Sequence, residues 1–225
     1  MSDYILMKKI IYKPFAVLGY TWGKICHVCK RILSLTYFQL LRNELIKWKL
    51  IAESQGEVSF GEWVFFGKNV KLRAEKGGKI IIQKNVRFLH DCDIRVLDGG
   101  TLTIAEGCIV GIRCHIRCRK NIAIHRNVHI GPDCKIIDYN HAINLNRETL
   151  DTYWLKSIII EEGVGIFSNV FIALGSHIGK FAKVTLNSYV SGPVPSSCVA
   201  GGNPLTIIHP RDKKPASASP GVATP

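Results

Sequence analysis

A branched aliphatic residue recurs at every sixth position from Ile160 to Val190: Ile160, Ile166, Ile172, Ile178, Val184 and Val190. A period of six matches neither the roughly 3.6-residue turn of a helix nor the two-residue alternation of one long strand. It fits a coil of short flat faces. Each face uses six residues and points one branched side chain inward, onto its copy in the next coil. Two places before each mark from Ile166 on stands a small or β-branched residue, Val164, Val170, Ser176, Ala182 and Ser188, suited to a second inward place near a corner. The chain therefore reads as an all-β repeat, a parallel β-helix.

The same marks extend upstream through Val58, Val64 and Val70, then Ile82, Phe88 and Ile94, then Ile104, Val110 and Ile116, then Ile124, Ile130 and Ile136. The phase is expected to slip only twice, at the turn-forming Asp98-Gly99-Gly100 and at the polar run Arg119-Lys120-Asn121. Between Ile136 and Ile160 the pattern is lost, which predicts a loop over 137–157 thrown out from the helix. Three hexads per coil give about six coils, stacked at about 4.8 Å. The β-helix is expected over 56–210.

Charge marks the ends of the chain. Of the net +13, the first 52 residues supply +7. Residues 1–55 leave the hexad pattern and cluster their apolar residues as a basic amphipathic helical segment would, with Ile32, Leu33, Leu35, Phe38 and Leu41 among Arg31, Arg42, Lys47 and Lys49. Such a segment can cap the open end of a β-helix, or rest on an anionic membrane surface through Trp22 and Trp48. Its run from Ile10 to Trp22, interrupted by Lys13 and Pro14, is too short and too polar to span a bilayer. Nucleic acid is not the expected partner, since no zinc finger, basic zipper or aromatic-plus-basic strand motif occurs. Residues 211–225, rich in Pro, Ala, Ser and Gly, are expected to be disordered.

Four of the eight cysteines, Cys92, Cys108, Cys114 and Cys134, fall two places before a mark, where a free thiol acts as a compact hydrophobe. Free thiols and the lack of a secretory signal point to the cytoplasm, with peripheral membrane contact at its inner face as an added expectation. Cys26-His27-Val28-Cys29 is half a zinc pattern without a second half, and His125 and His129 are spaced to point in different directions, so no metal is expected.

A regular coil does no chemistry, so function is sought where the pattern breaks. The largest break opens with Asp138-Tyr139-Asn140-His141. A histidine at a loop root with a carboxylate three residues before it has the parts of a general base and its orienting partner.

Ile130-Gly131, Asp138-x-x-His141, Ile178-Gly179, and Pro193-Val194-Pro195 through Ala200-Gly201-Gly202-Asn203-Pro204 together resemble the hexapeptide-repeat acyltransferases. Within that family the chain is most similar to the branch that O-acetylates sugars and bacterial surface polysaccharides, beside galactoside and maltose acetyltransferases. The resemblance implies a left-handed coil, which periodicity does not determine. It implies acetyl-coenzyme A as co-substrate and His141 as the base for a sugar hydroxyl, with Asp138 or Asn140 setting its orientation. It further implies that Ser168 offers a backbone N–H to the developing oxyanion. Ala182 and Ser188 would flank the pantetheine arm, and Gly201, Asn203 and Arg211 would lie by the phosphates and adenine. Relatives work as homotrimers, so Tyr153 and Trp154 could reach a neighbouring subunit or stack on a sugar ring; Trp154 packing only on its own coil is an equal reading. The acceptor is a sugar or polysaccharide precursor, lipid-linked if the basic segment meets a membrane. An N-acetyltransferase of a nucleotide-linked amino sugar keeps the fold and changes the acceptor. Departures from the family at Gly165 and at Thr185 to Asn187 leave open an inactive scaffold.

Overall fold

The computed structural model describes residues 40–143 and 149–210. The chain forms two units, 1–45 and 46–225. In the first, the described residues 40–45 are helical. The second opens with helical residues 46–52, where Leu50 is buried and Ile46 packs against the same core.

From Glu57 the chain winds into coils of three strands. The first is β1 (Glu57–Phe60), β2 (Phe65–Phe66) and β3 (Lys71–Ala74); the second β4 (Lys79–Ile82), β5 (Arg87–Phe88) and β6 (Asp93–Val96). The third is β7 (Thr101–Ile104), β8 (Ile109–Val110) and β9 (His115–Cys118); the fourth β10 (Asn121–Ile124), β11 (His129–Ile130) and β12 (Lys135–Ile137). A hairpin follows, β13 (Tyr139–Ile143) and β14 (Thr149–Leu155). The fifth coil is β15 (Ile158–Ile160), β16 (Gly165–Ile166) and β17 (Phe171–Ile172), the sixth β18 (His177–Ile178), β19 (Lys183–Val184) and β20 (Tyr189–Val190). A partial seventh, β21 (Pro193–Val194) and β22 (Cys198–Gly201), is closed by β23 (Thr206–Pro210), antiparallel to β22.

Corresponding strands pair in parallel to make three faces. The first holds β1, β4, β7, β10, β15, β18 and β21; the second runs from β2 to β22 with β23 at its edge; the third holds β3, β6, β9, β12, β17 and β20. The expected repeat is present, as about six turns that match the left-handed β-helix. Inward places alternate along each strand, as pleating requires, and the core is a set of ladders such as Leu72, Ile94, Ile116, Ile136, Ile172 and Val190.

In the first coil the register differs from the expected marks by two residues. Phe60, Phe66 and Leu72, not Val58, Val64 and Val70, align with Ile82, Phe88 and Ile94. The phase therefore also slips between Leu72 and Ile82. Four-residue strands β3 and β4 meet there across a turn at Lys76 and Gly77, both of positive φ. Since inward places recur every second residue, a shift of two still buries apolar side chains, and periodicity cannot tell the registers apart.

The other corners use left-handed backbone that Asn and Asp adopt more readily than most residues. One corner stacks Asn69, Asp91, Arg113, Asp133, Asn169 and Asn187, all of positive φ. Asn69 Nδ2 donates to Asp91 at 2.9 Å, Arg113 grips Asp133 with two bonds of 2.7 Å, and Asn169 Nδ2 donates to Asn187 at 2.8 Å.

All six cysteines among the described residues are buried and free; Cys26 and Cys29 lie outside those residues. Four thiols donate to a main-chain carbonyl of the next coil: Cys92 to Gly111, Cys108 to His125, Cys114 to Gly131 and Cys134 to Phe167, at 2.9–3.1 Å. Burial pushes Cys92 and Cys108 up to about 11. Cys114 is raised through the neighbouring Cys134 thiol and by burial, and Cys118 by burial and the nearby Asp138 charge. In the unfolded chain a thiol ionises near pH 8.5, so between about pH 9 and 11 the folded state holds more protons than the unfolded one, and stability falls as pH rises. We expect a loss of up to about 1.4 kcal/mol per pH unit for each such thiol across that window, read from denaturant midpoints. A flat profile would show that these thiols are hydrated.

Candidate active site

After β12 the chain leaves the coil as an antiparallel hairpin in which Tyr139 faces Leu155, Asn140 faces Trp154 and His141 faces Tyr153, with a register shift between His141 and Ile143. The predicted loop is thus mostly paired backbone. Residues 144–148 lie outside the described residues. His141 and Asn140 are exposed, Trp154 is 63% exposed and Tyr153 is half-buried. The His141 ring lies 4.7 Å from the Tyr153 ring, tilted by 53°, so the imidazole is steered by an aromatic neighbour while its edge stays open to solvent.

Asp138 does not point the same way. It is fully buried, next in line after Cys118 on an inward ladder. Its oxygens accept from Arg119 N at 2.7 Å, Lys120 N at 2.9 Å and Cys118 Sγ at 3.2 Å. These bonds tie the root of the hairpin to the corner of the third coil. Replacing Asp138 by Asn turns one acceptor into a donor facing a main-chain N–H. A destabilisation of about 1–3 kcal/mol is expected in chemical denaturation; no change would mean that the two N–H groups find other acceptors.

The hexad pattern gave no reason to name Arg119, which the structure places at the centre of the hairpin base. Its Cζ lies 3.8 Å over the Tyr153 ring and 4.9 Å from the Tyr139 centroid, while Nη2 meets the Tyr153 hydroxyl at 3.2 Å. Nη1 is ion-paired with Asp98. Tyr139 and Tyr153 meet edge to face at 5.5 Å. A half-buried guanidinium held against two aromatic rings is a rigid arrangement, and it reaches His141 through Tyr153. The signal available in the sequence was the phase slip at Arg119-Lys120-Asn121.

The other predicted residues lie on later coils. Ser168 is exposed on the corner after β16, and among the described residues its main-chain N–H has no acceptor. Ala182 and Ser188 are inward and buried; the Ser188 hydroxyl donates to Thr185 O at 2.7 Å and accepts from Gly202 N at 3.0 Å. Any part they play outside the coil is played by their main chain. Gly201 is buried, and a side chain there would collide with Thr185. Asn203 is exposed, and Arg211 lies outside the described residues. Among the described residues no three His, Cys, Asp or Glu side chains gather as metal ligands would, and no helix is long and apolar enough to cross a membrane.

No protein-family model matches the chain. A Saccharomyces cerevisiae protein named as an acetyltransferase, YJL218W, is 29% identical over 44% of this chain and 50% of its own length. An Escherichia coli protein named as a lipopolysaccharide biosynthesis O-acetyl transferase, WbbJ, is 24% identical over 73% of this chain and 77% of its own. The chain thus spans about half the length of the first relative and about three quarters of the second. Among solved structures, the AntD N-acyltransferase of Bacillus cereus, crystallised with dTDP-4-amino-4,6-dideoxyglucose and coenzyme A, shares the fold with a TM-score of 0.58 at 16% identity, over 76% of this chain and 89% of that one. The six-residue repeat and stacked coils give the chain the left-handed β-helix fold, and its sequence is similar to proteins named as acetyltransferases.

Proposed function

We propose that the chain transfers an acetyl group from acetyl-coenzyme A to a hydroxyl of a sugar, in a polysaccharide or its precursor, with His141 as general base. The observation that carries this reading is the hairpin itself. It interrupts an otherwise regular coil, holds an exposed imidazole against Tyr153, and is fastened at its root by Asp138 and Arg119. Acetyl-coenzyme A supplies the activated thioester. His141 accepts the proton of the acceptor hydroxyl as its oxygen attacks, and the unengaged Ser168 N–H is a donor suited to the carbonyl oxygen that becomes negative. Tyr153, paired with His141 across the hairpin, and the exposed Trp154 next to it are proposed to bind the acceptor. Gly201 and Asn203 are proposed to hold the nucleotide end. A homotrimer and peripheral membrane contact by the basic N-terminal segment belong to the same proposal.

Similarity to WbbJ supports an O-linked product; the amino sugar in the AntD complex keeps N-acylation of a nucleotide-linked amino sugar as the second reading. Release of coenzyme A separates them. The first predicts turnover with neutral glycans, the second with nucleotide-linked amino sugars. Absence of turnover with both, and of acetyl-coenzyme A binding in calorimetry, would sink the transferase reading in favour of a scaffold.

A further inference from the structure

We propose that the outer side of the third face is a track for the acceptor, and that the acceptor is an anionic glycan bearing carboxylate or phosphate groups; this rests on the transferase reading above. Arg73, Arg95 and Arg117 stand in register on consecutive coils of that face, with Lys71 and Lys135 on the adjacent outward row. Coils stack at about 4.8 Å, so like charges repel along the ladder unless something negative lies on it. Among the outward residues of these two rows Asp93 is the one acid. It engages Arg117 at 2.6 Å and Arg95 at 3.3 Å. Burial alone would raise its carboxyl, but these hydrogen bonds and charges outweigh that and hold it below the usual range. Lys71, Arg73 and Lys135 have no ion-pair partner among the described residues.

The other faces do not repeat this. On the first face the outward Lys79 is paired with Glu57 at 2.9 Å, and the places above it are the uncharged Thr101, Thr103, Asn121 and Ala123. Beyond Lys135 the basic row continues as Phe171 and Tyr189, their rings stacked at 5.5 Å and 26°. Cations followed by stacked aromatic rings suit a polymer that has both anionic groups and the flat apolar faces of sugar rings. Lys135 opens β12, the strand that leads directly into the His141 hairpin. A glycan lying on this face therefore passes the root of the catalytic hairpin.

The test is calorimetric binding of polygalacturonate to the full chain, without coenzyme A, at low salt. A Lys71→Glu and Arg73→Glu double variant is compared with Arg87→Glu and Arg126→Glu, which changes net charge equally away from the third face. Circular dichroism and a thermal melt establish that both variants fold. The first should bind on the order of tenfold more weakly and the second within about twofold of the native chain. Native binding should also weaken steeply above about 0.15 M salt, where the screening length is about 8 Å. Equal losses in the two variants, equally tight binding of neutral dextran, or displacement of the glycan by anionic phospholipid vesicles would each overturn the track. Coenzyme A release with small neutral sugars reports on the transferase separately, so intact polygalacturonate binding without any turnover would count against catalysis and not against the binding face.

Discussion

His141→Ala is expected to lower the rate of acetyl transfer by roughly a hundredfold or more, the usual contribution of a positioned general base. The loss should fall on kcat, because the imidazole acts on the proton that moves in the transition state rather than on the resting complex. His141→Gln keeps a polar side chain of similar size but no titratable nitrogen, and should be as slow as the alanine variant. His141 is exposed and its ring touches Tyr153 from one side, so neither change should alter the unfolding free energy by more than about 0.5 kcal/mol. A rate within about threefold of native, with acetyl-coenzyme A turnover still present, would remove His141 from the mechanism.

Phe88→Ala should destabilise the β-helix by about 3–5 kcal/mol. Phe88 is fully buried and stacks on Phe66 with centroids 5.6 Å apart and planes within 5°. Phe66 in turn meets Phe60 edge to face at 5.4 Å. Truncation leaves a void between rigid coils whose spacing is held by main-chain hydrogen bonds, so collapse can recover little. Denaturant unfolding followed by circular dichroism measures the effect. Phe88→Leu, which keeps most of the volume, should lose clearly less. A loss under about 1 kcal/mol for the alanine variant would show that this stretch of the core is not close-packed.

Both predictions begin from marks visible in the chain. The hexads placed Phe88 inward, and the break in them placed His141 on a projecting segment. The roles around His141 were less legible. Asp138 lies three residues before it and invites pairing, yet it falls on an inward place of the coil, and its carboxylate serves Arg119 N, Lys120 N and Cys118 Sγ. Arg119 is legible in the sequence only as part of a polar run at a phase slip, where an arginine looks like any solvated corner. Its significance depends on Tyr139 and Tyr153, and Tyr153 is 34 residues away.

The sequence by itself determined the repeat, the number of coils, the inward placing of the core and its thiols, and the point where a segment leaves the helix. All of these follow from alternation and period, which are local properties of the chain. Only the tertiary structure decided the register of the first coil, the hairpin pairing, the clamp on Arg119 and the basic ladder of the third face. Each depends on how many residues turn a corner. Arg73, Arg95 and Arg117 become neighbours because two successive coils take 22 residues each. Corner length is set by left-handed turns and strand extension, which a period of six does not encode.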